Sequence, residues 1–375
     1  MTMKVVAAMS GGVDSSVVAA LLREQGYGVI GTTMQIQPSS GLAQQADRFG
    51  GCCGLDAVVD AKRVAHRLGI PHYVLNFRDV FARQVIADFS RQYRLGRTPN
   101  PCIRCNQFVK FDALLKRARD LGVSKVATGH YARIDHSNGR YLLKKSTDRR
   151  KDQTYVLYVM TQEQLRSSLF PVGDLTKEEV RRIAGRLQLP VADKPESQEI
   201  CFVPDNDYAA FLQEYTGAAA TPGPIIDRRG NVLGQHRGIV SYTIGQRRGL
   251  GIASREPLYV VAIDHERNTI TVGTREDVYA TELTAARLNW ISIEEPEGEM
   301  RVKAKIRYLH EEAEATVTPT GKDEVRVRFK EPQMAITPGQ AIVFYDGDTV
   351  VGGGTIERID RRKRGAASPE SERNE

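Results

Sequence analysis

The rhythm of hydrophobic and polar positions changes once, sharply, along the 375-residue chain. Over the first ~200 residues, short apolar runs alternate with stretches of helical spacing. Lys4–Met9 is an apolar run with β-branched members, and Ser15–Gln25 is helical with Gly26 just past its end. Val29–Gln35 predicts the next strand, and Asp56–Leu68 a helix closed by Gly69 and by Pro71. His72–Asn76 and Lys125–Thr128 predict further strands, Lys110–Leu121 a helix ended by Gly122, and Thr176–Leu187 one more before Pro190. Such a βαβ succession implies a parallel sheet with helices on both faces and ligands at the carboxyl ends of its strands.

After about Pro204 helical periodicity fades and Gly and Pro become frequent. Pro257–Ile263 and Thr269–Gly273 read as a hairpin joined by polar Asp264–Asn268. From Arg301 the alternation is strict. Val302, Ala304, Ile306 and Tyr308 share one face and Arg301, Lys303, Lys305 and Arg307 the other; Val325, Val327 and Phe329 alternate in the same way with Arg326, Arg328 and Lys330. Half-buried antiparallel strands of this kind predict a small β-barrel. The expected class is α/β: a doubly wound parallel-sheet domain at 1–207, a small β-rich central domain at 208–280, a C-terminal β-barrel at 281–358 and a disordered tail at 359–375.

Composition adds bounds. With 41% hydrophobic and 26% charged residues the chain is ordinarily globular. No run reaches the roughly 18–20 apolar residues of a membrane span, and the N-terminus enters a strand pattern at once, so a cytoplasmic protein with no membrane partner is expected. The excess charge of +7 is informative only by location. Residues 83–119 hold nine Arg/Lys (83, 91, 94, 97, 104, 110, 116, 117, 119) against Asp88 and Asp112, a candidate footprint for a polyanion or simply a set of solvated helix faces.

Two clusters carry chemistry. Ser10-Gly11-Gly12-Val13-Asp14-Ser15-Ser16 follows the first strand and opens a helix. The glycines allow close approach to phosphate oxygens, and the Ser15 and Ser16 hydroxyls with the first helical N–H groups are expected to point at the anion. It is not a Walker loop, because no Gly-Lys-Ser/Thr follows. The second cluster is the cysteines. Five of them (52, 53, 102, 105, 201) make an odd number that argues against a disulfide framework. Cys102 and Cys105 sit in the Pro-bounded Thr98-Pro99-Asn100-Pro101-Cys102-Ile103-Arg104-Cys105-Asn106, near Arg and a helix start, an environment that activates thiols. Inert burial, zinc binding and persulfide chemistry all remain open at this point, though no His completes a zinc set.

The loop resembles the SGGxDS signature of PP-loop ATP pyrophosphatases. Together with GCCGLDAVVDAKRVAHRLGIPHYVLNF, TPNPC-x-x-CN, TGHYAR, KDQTYVLY, ESQEICF and SYTIGQRRGLGI, it resembles the bacterial tRNA-specific 2-thiouridylase family from residue 4 to about 357. That resemblance implies an adenine nucleotide alpha hydrolase-like domain and a monomeric enzyme that sulfurates carbon 2 of the wobble uridine in tRNAs for Lys, Glu and Gln. It implies ATP with Mg²⁺ at Ala8, Met9, Ser10, Gly11, Gly12, Val13, Asp14, Ser15, Met34 and Gly129, with Asp14 organising Mg²⁺-pyrophosphate. Cys105 is then the nucleophile and Cys201 the persulfide carrier, loaded by a cysteine desulfurase route. Asn100, Pro101 and Cys102 face the target base, and His130, Lys151, Asp152, Gln153, Arg307, Tyr308 and Gln340 contact tRNA. One departure matters: many members carry Asp, thought to be a general base, where this chain has Cys102. A thiol lies about four pKa units above Asp and does not simply replace it. A second implication is therefore open, in which Cys102, Cys105 and Cys201 hold a [4Fe–4S] cluster that carries the sulfur. An amide-forming PP-loop synthetase and a non-catalytic RNA-binding protein are the rival readings.

Overall fold

A computed structural model describes residues 2–37, 55–195, 200–203, 207–217 and 219–360 of the chain. β1 (Lys4–Ala8) is apolar on both sides: Val5 and Ala7 belong to one core, Val6 and Ala8 to another. A strand of that kind needs cover on both faces. α1 (Val13–Glu24) and α2 (Leu55–Leu68) cover the first face; α3 (78–94) and α4 (101–120) cover the second. β2 (Gly28–Gln35), β3 (His72–Asn76) and β4 (Val126–Ala127) join the sheet. A hairpin of β5 (Ala132–Ser137) and β6 (Arg140–Lys145) then leaves it, and β7 (Ser168–Leu169) returns. The parallel order is β3-β2-β1-β4-β7. α5 (Lys177–Arg186) closes the domain, starting from a capping box in which Thr176 and Glu179 exchange hydrogen bonds.

The central sheet, β10-β11-β8-β9, is built from β8 (Gly223–Ile226), β9 (Val232–His236), β10 (Tyr259–Asp264) and β11 (Thr269–Gly273). The expected barrel follows as β12 (Tyr279–Trp290), β13 (Met300–Lys305), β14 (Ala313–Gly321), β15 (Glu324–Met334), β16 (Ala341–Asp346) and β17 (Thr349–Asp360). Pairing of β12 with both β15 and β17 closes it, which removes the exposed edges an open sheet would present.

Three departures from the sequence expectation have local causes. The helix expected from Lys110 starts at Pro101, because Asn100 accepts from the Cys102 N–H at 3.1 Å and Pro suits the first helical position. Helicity does not fade at once after Pro204. Tyr208–Thr216 forms α6 between the Asp207 cap and left-handed Gly217, and docks Phe211 against Phe89 and Phe202. The β5–β6 hairpin extends the barrel sheet rather than the parallel one, through Thr349 opposite Lys144. A shared core of Phe111, Tyr155, Leu157, Val343, Tyr345 and Val350 lies at that junction. Fully burying each such side chain contributes about 1.5–3 kcal/mol, so the first domain and the barrel are joined by core packing as well as by chain.

Candidate active site

The strand order reverses between β1 and β4, so the crevice beyond their carboxyl ends is the expected ligand position of an open α/β sheet. The Ser10–Gly12 loop occupies it. Gly11 has φ +69°, and a Cβ there would lie 2.4 Å from the Ala57 carbonyl oxygen, so no other residue fits. Gly12 caps α1 in extended conformation without a side-chain bond, which leaves first-turn N–H groups for an outside acceptor. The Ser10 N–H donates to Ser15 Oγ at 3.1 Å, and the two hydroxyls lie 3.2 Å apart. Contrary to expectation, the Ser16 hydroxyl does not face an anion: it is fully buried and donates to the Gly12 carbonyl at 2.8 Å. Ala8, Met9 and Val13 are buried, so their side chains belong to the core. The Met9 N–H and carbonyl are already engaged by the Thr32 carbonyl and the Thr33 hydroxyl. Met34, near the end of β2, is half-buried against the second core. A Cβ on Gly129, just beyond β4, would approach the Ser15 nitrogen to 2.9 Å and the Asp14 Cβ to 3.1 Å, so the β4 end is pressed against the loop.

Two groups here were not foreseen. Asp14 Oδ1 accepts from the Tyr131 hydroxyl at 2.8 Å and from Lys177 Nζ at 2.6 Å. Tyr131 lies within the TGHYAR segment that drew attention to Gly129 and His130; Lys177, at the start of α5, carried no signal. No described residue donates to Asp14 Oδ2, so one carboxylate oxygen beside the helix N-terminus remains for a cation. That donor set fits Mg²⁺.

The thiols lie on the other side of β1. Cys105 and Cys201 are half-buried and both pack against the core that also takes Met34, whereas Cys102 is exposed. Cys105 opens the π-helical stretch Cys105–Ala113 of α4, a distortion often found at functional sites. Arg104 beside it is drawn to Asp88 (3.3 Å) and Gln107 (2.8 Å). Among the described residues no three His, Cys, Asp or Glu side chains stand close enough to hold a metal ion, so the three-thiolate set of an iron–sulfur cluster is not assembled. Cys52, Cys53 and Ser197–Glu199 lie outside the described residues.

All three domains meet at the approach to Cys102. The Thr98 N–H donates to the Pro338 carbonyl (2.9 Å) and its carbonyl accepts from Gln340 Nε2 (2.8 Å). Arg97 pairs with Glu357 at 2.6 Å and donates to the Ile356 carbonyl. From the central domain, the Thr243 hydroxyl lies 3.3 Å from that of Thr98. Gln340, expected at tRNA, is thus engaged in holding the segment before Asn100.

The other residues expected at tRNA are buried or half-buried. His130 is buried against Phe111 and Phe170, shares a hydrogen with Thr128 at 2.7 Å, and burial holds its pKa well below the ordinary value. In this arrangement its ring packs with the core of the first domain. Asp152 accepts from Thr154 and the Ser146 N–H, and burial raises its pKa. Gln153 clasps Tyr131 through both backbone and side chain at 2.9 Å, which ties the 151–153 segment to the residue that holds Asp14. Lys151 and Tyr308 are half-buried, and half-buried Arg307 donates to the Met334 carbonyl. The basic stretch is less bare than its charge suggested: Arg91, Arg97, Arg104, Lys116, Arg117 and Arg119 each face a carboxylate. Arg83, Arg91 and Arg94 are exposed along α3.

A glycine loop at the switch point of a parallel sheet, opening a helix, gives the domain the architecture of the PP-loop class. Family models agree: a tRNA methyl transferase HUP domain matches residues 3–205, a tRNA methyl transferase PRC-barrel domain 209–274, and an aminomethyltransferase beta-barrel domain 280–356. The tRNA-specific 2-thiouridylase MnmA of Acetivibrio thermocellus is 57% identical over 356 residues, covering 94% of this chain and 99% of that one. Its namesake from Symbiobacterium thermophilum is 57% identical over 359 residues, covering 95% and 92%. Among solved structures, a 4-thiouridine synthetase–RNA complex with bound ATP aligns at TM-score 0.34 and 17% identity over 54% of this chain and 46% of that one, too distant to add weight. The chain belongs to the tRNA-specific 2-thiouridylase family, a family of sulfurtransferases. Among the described residues no helix is long and apolar enough to cross a membrane.

Proposed function

We propose that this chain thiolates carbon 2 of the wobble uridine in tRNAs for Lys, Glu and Gln, using ATP and a persulfide on Cys201. The observation that carries the reading is that Cys105, Cys201 and Met34 pack against one core, which also takes Val6 and Ala8 of β1, the strand that leads into the phosphate loop. Exposed arginines of α3 and the outward Arg301, Lys303 and Arg326 of the barrel attract the tRNA backbone. The wobble base leaves its stack to reach Asn100–Cys105. The α1 N-terminus and the Ser10–Gly12 backbone hold the triphosphate while the uridine carbonyl oxygen attacks the α-phosphorus and pyrophosphate departs. Asp14 would hold Mg²⁺, which would supply neutralisation of charge on the phosphates.

Adenylation converts a poor leaving oxygen into AMP. The terminal sulfur of the Cys201 persulfide bonds to carbon 2. The Cys105 thiolate then attacks the Cys201 sulfur, so the sulfur–sulfur bond breaks and its electron pair stays with the transferred atom. AMP leaves with the former carbonyl oxygen, and a Cys105–Cys201 disulfide remains. An external thiol reductant reopens it, and a cysteine desulfurase route reloads Cys201. Exposed Cys102 takes no step in this scheme, which assigns it only a place facing the base.

Cys105→Ser and Cys201→Ser are each expected to abolish thiolation, while tRNA-dependent pyrophosphate release persists within about threefold, since activation precedes sulfur transfer. Full-rate thiolation by either variant would overturn the sulfur assignment.

A further inference from the structure

The Asp14–Lys177 pair has more behind it than a tie between two helices. Lys177 is 8% exposed, and its backbone is fixed at the first position of α5. Its N–H donates to Asp148 Oδ2 at 3.1 Å, and the Thr176–Glu179 box satisfies the neighbouring α5 donors. The α5 terminus therefore offers an anion little of its own; the side chain alone reaches out. It lies 5.9 Å over the Tyr131 ring and ends on the first-turn carboxylate of α1, next to the uncapped N–H groups. That places a desolvated ammonium where phosphate oxygens must lie if the loop holds a triphosphate. Asp14 pairs with it in this structure, so the cation is not left unpaired in the interior.

We propose that Lys177 is a phosphate-binding residue of the ATP site: its ammonium passes from Asp14 to the β- and γ-phosphates when ATP binds, and stays with pyrophosphate after adenylation. The exchange replaces one carboxylate acceptor by phosphate oxygens, changes no covalent bond, and leaves the Tyr131 hydroxyl to orient Asp14. This rests on the ATP reading above and extends it to the leaving group. A loop without a Walker lysine thereby receives its ammonium from a helix 163 residues further along the chain.

The test is calorimetric titration of the full chain with ATP, pyrophosphate and AMP, each with Mg²⁺, for the wild type, Lys177→Met, Lys177→Gln and Lys177→Arg. Lys177→Gln removes the charge but keeps a polar end near Asp14, so it serves as the second variant if Lys177→Met unfolds. ATP and pyrophosphate are expected to bind Lys177→Gln and Lys177→Met about 10–100-fold more weakly, as for loss of a charge-assisted contact, and Lys177→Arg within about fivefold of wild type. AMP, which lacks the β- and γ-phosphates, should bind all four proteins within about twofold. Unchanged pyrophosphate affinity in Lys177→Gln, or equal weakening of AMP and ATP, would overturn the proposal and reduce the pair to a structural tie. Wild-type protein that bound neither ATP nor pyrophosphate would instead refute the underlying ATP reading.

Discussion

The phosphate loop and the cysteine loop are both short, Gly- or Pro-marked segments preceding a helix, yet they are held in different ways. Ser10–Ser16 is fixed within the first domain, by its own strand and helix, by hydroxyls that bond within the loop and by Tyr131 and Lys177 on Asp14. Arg97–Cys105 is fixed from outside, by Pro338, Gln340 and Glu357 of the barrel and by Thr243 of the central domain. A local device can act before anything docks. A device assembled from three domains responds to whatever moves them, and tRNA bound across the barrel would be felt directly at the segment leading to Asn100.

The largest expected effect breaks the local device. Gly11→Ala meets both a left-handed backbone and the Ala57 carbonyl at 2.4 Å. An alanine there costs about 1–2 kcal/mol from backbone conformation alone, and the clash adds to it. Thiolation is expected to fall at least ~100-fold with loss of calorimetric ATP binding, while tRNA binding in a filter assay persists within about threefold. Wild-type ATP affinity in this variant would mean that the loop is a plain strand–helix connection.

A smaller effect sharpens the other half of the comparison. Gln340→Ala removes one bond to Thr98 and leaves the Arg97–Glu357 pair in place. A stability loss of about 1 kcal/mol is expected, with a 3–10-fold lower single-turnover thiolation rate and a tRNA Kd within about twofold. If the tRNA Kd instead rose tenfold with the single-turnover rate unchanged, Gln340 would be an RNA contact, as the family resemblance implies, and not a positioning residue.

The same contrast explains what the sequence disclosed. β1, its loop and α1 were legible because apolar run, glycine turn and helical spacing are all local signals. So was the barrel, whose Val325, Val327 and Phe329 alternate strictly and are all buried. The β5–β6 hairpin was not legible, because Ala132–Ser137 mixes polar residues without clean alternation and its partner β6 finds its edge on β17, some two hundred residues away. Helical spacing alone starts α4 at Lys110, although Asn100-Pro101 is a sound cap and first-turn pair. Lys177 was invisible, since only the folded chain brings the α5 start to Asp14. The burial of His130 was not legible either, because it depends on Phe111 and Phe170 from two other elements. Elements specified by local signals could be drawn from the sequence; contacts between distant elements, such as Lys177 on Asp14, could not.

The central claim is that an oxygen of the uridine itself is adenylated before sulfur replaces it. Its most direct test is a single turnover on tRNA carrying ¹⁸O at carbon 2 of the wobble uridine, with mass analysis of the nucleotide products. The account predicts the label in the phosphate of AMP, one atom for each 2-thiouridine formed, and none in pyrophosphate. Thiolated tRNA accompanied by unlabelled AMP would contradict it.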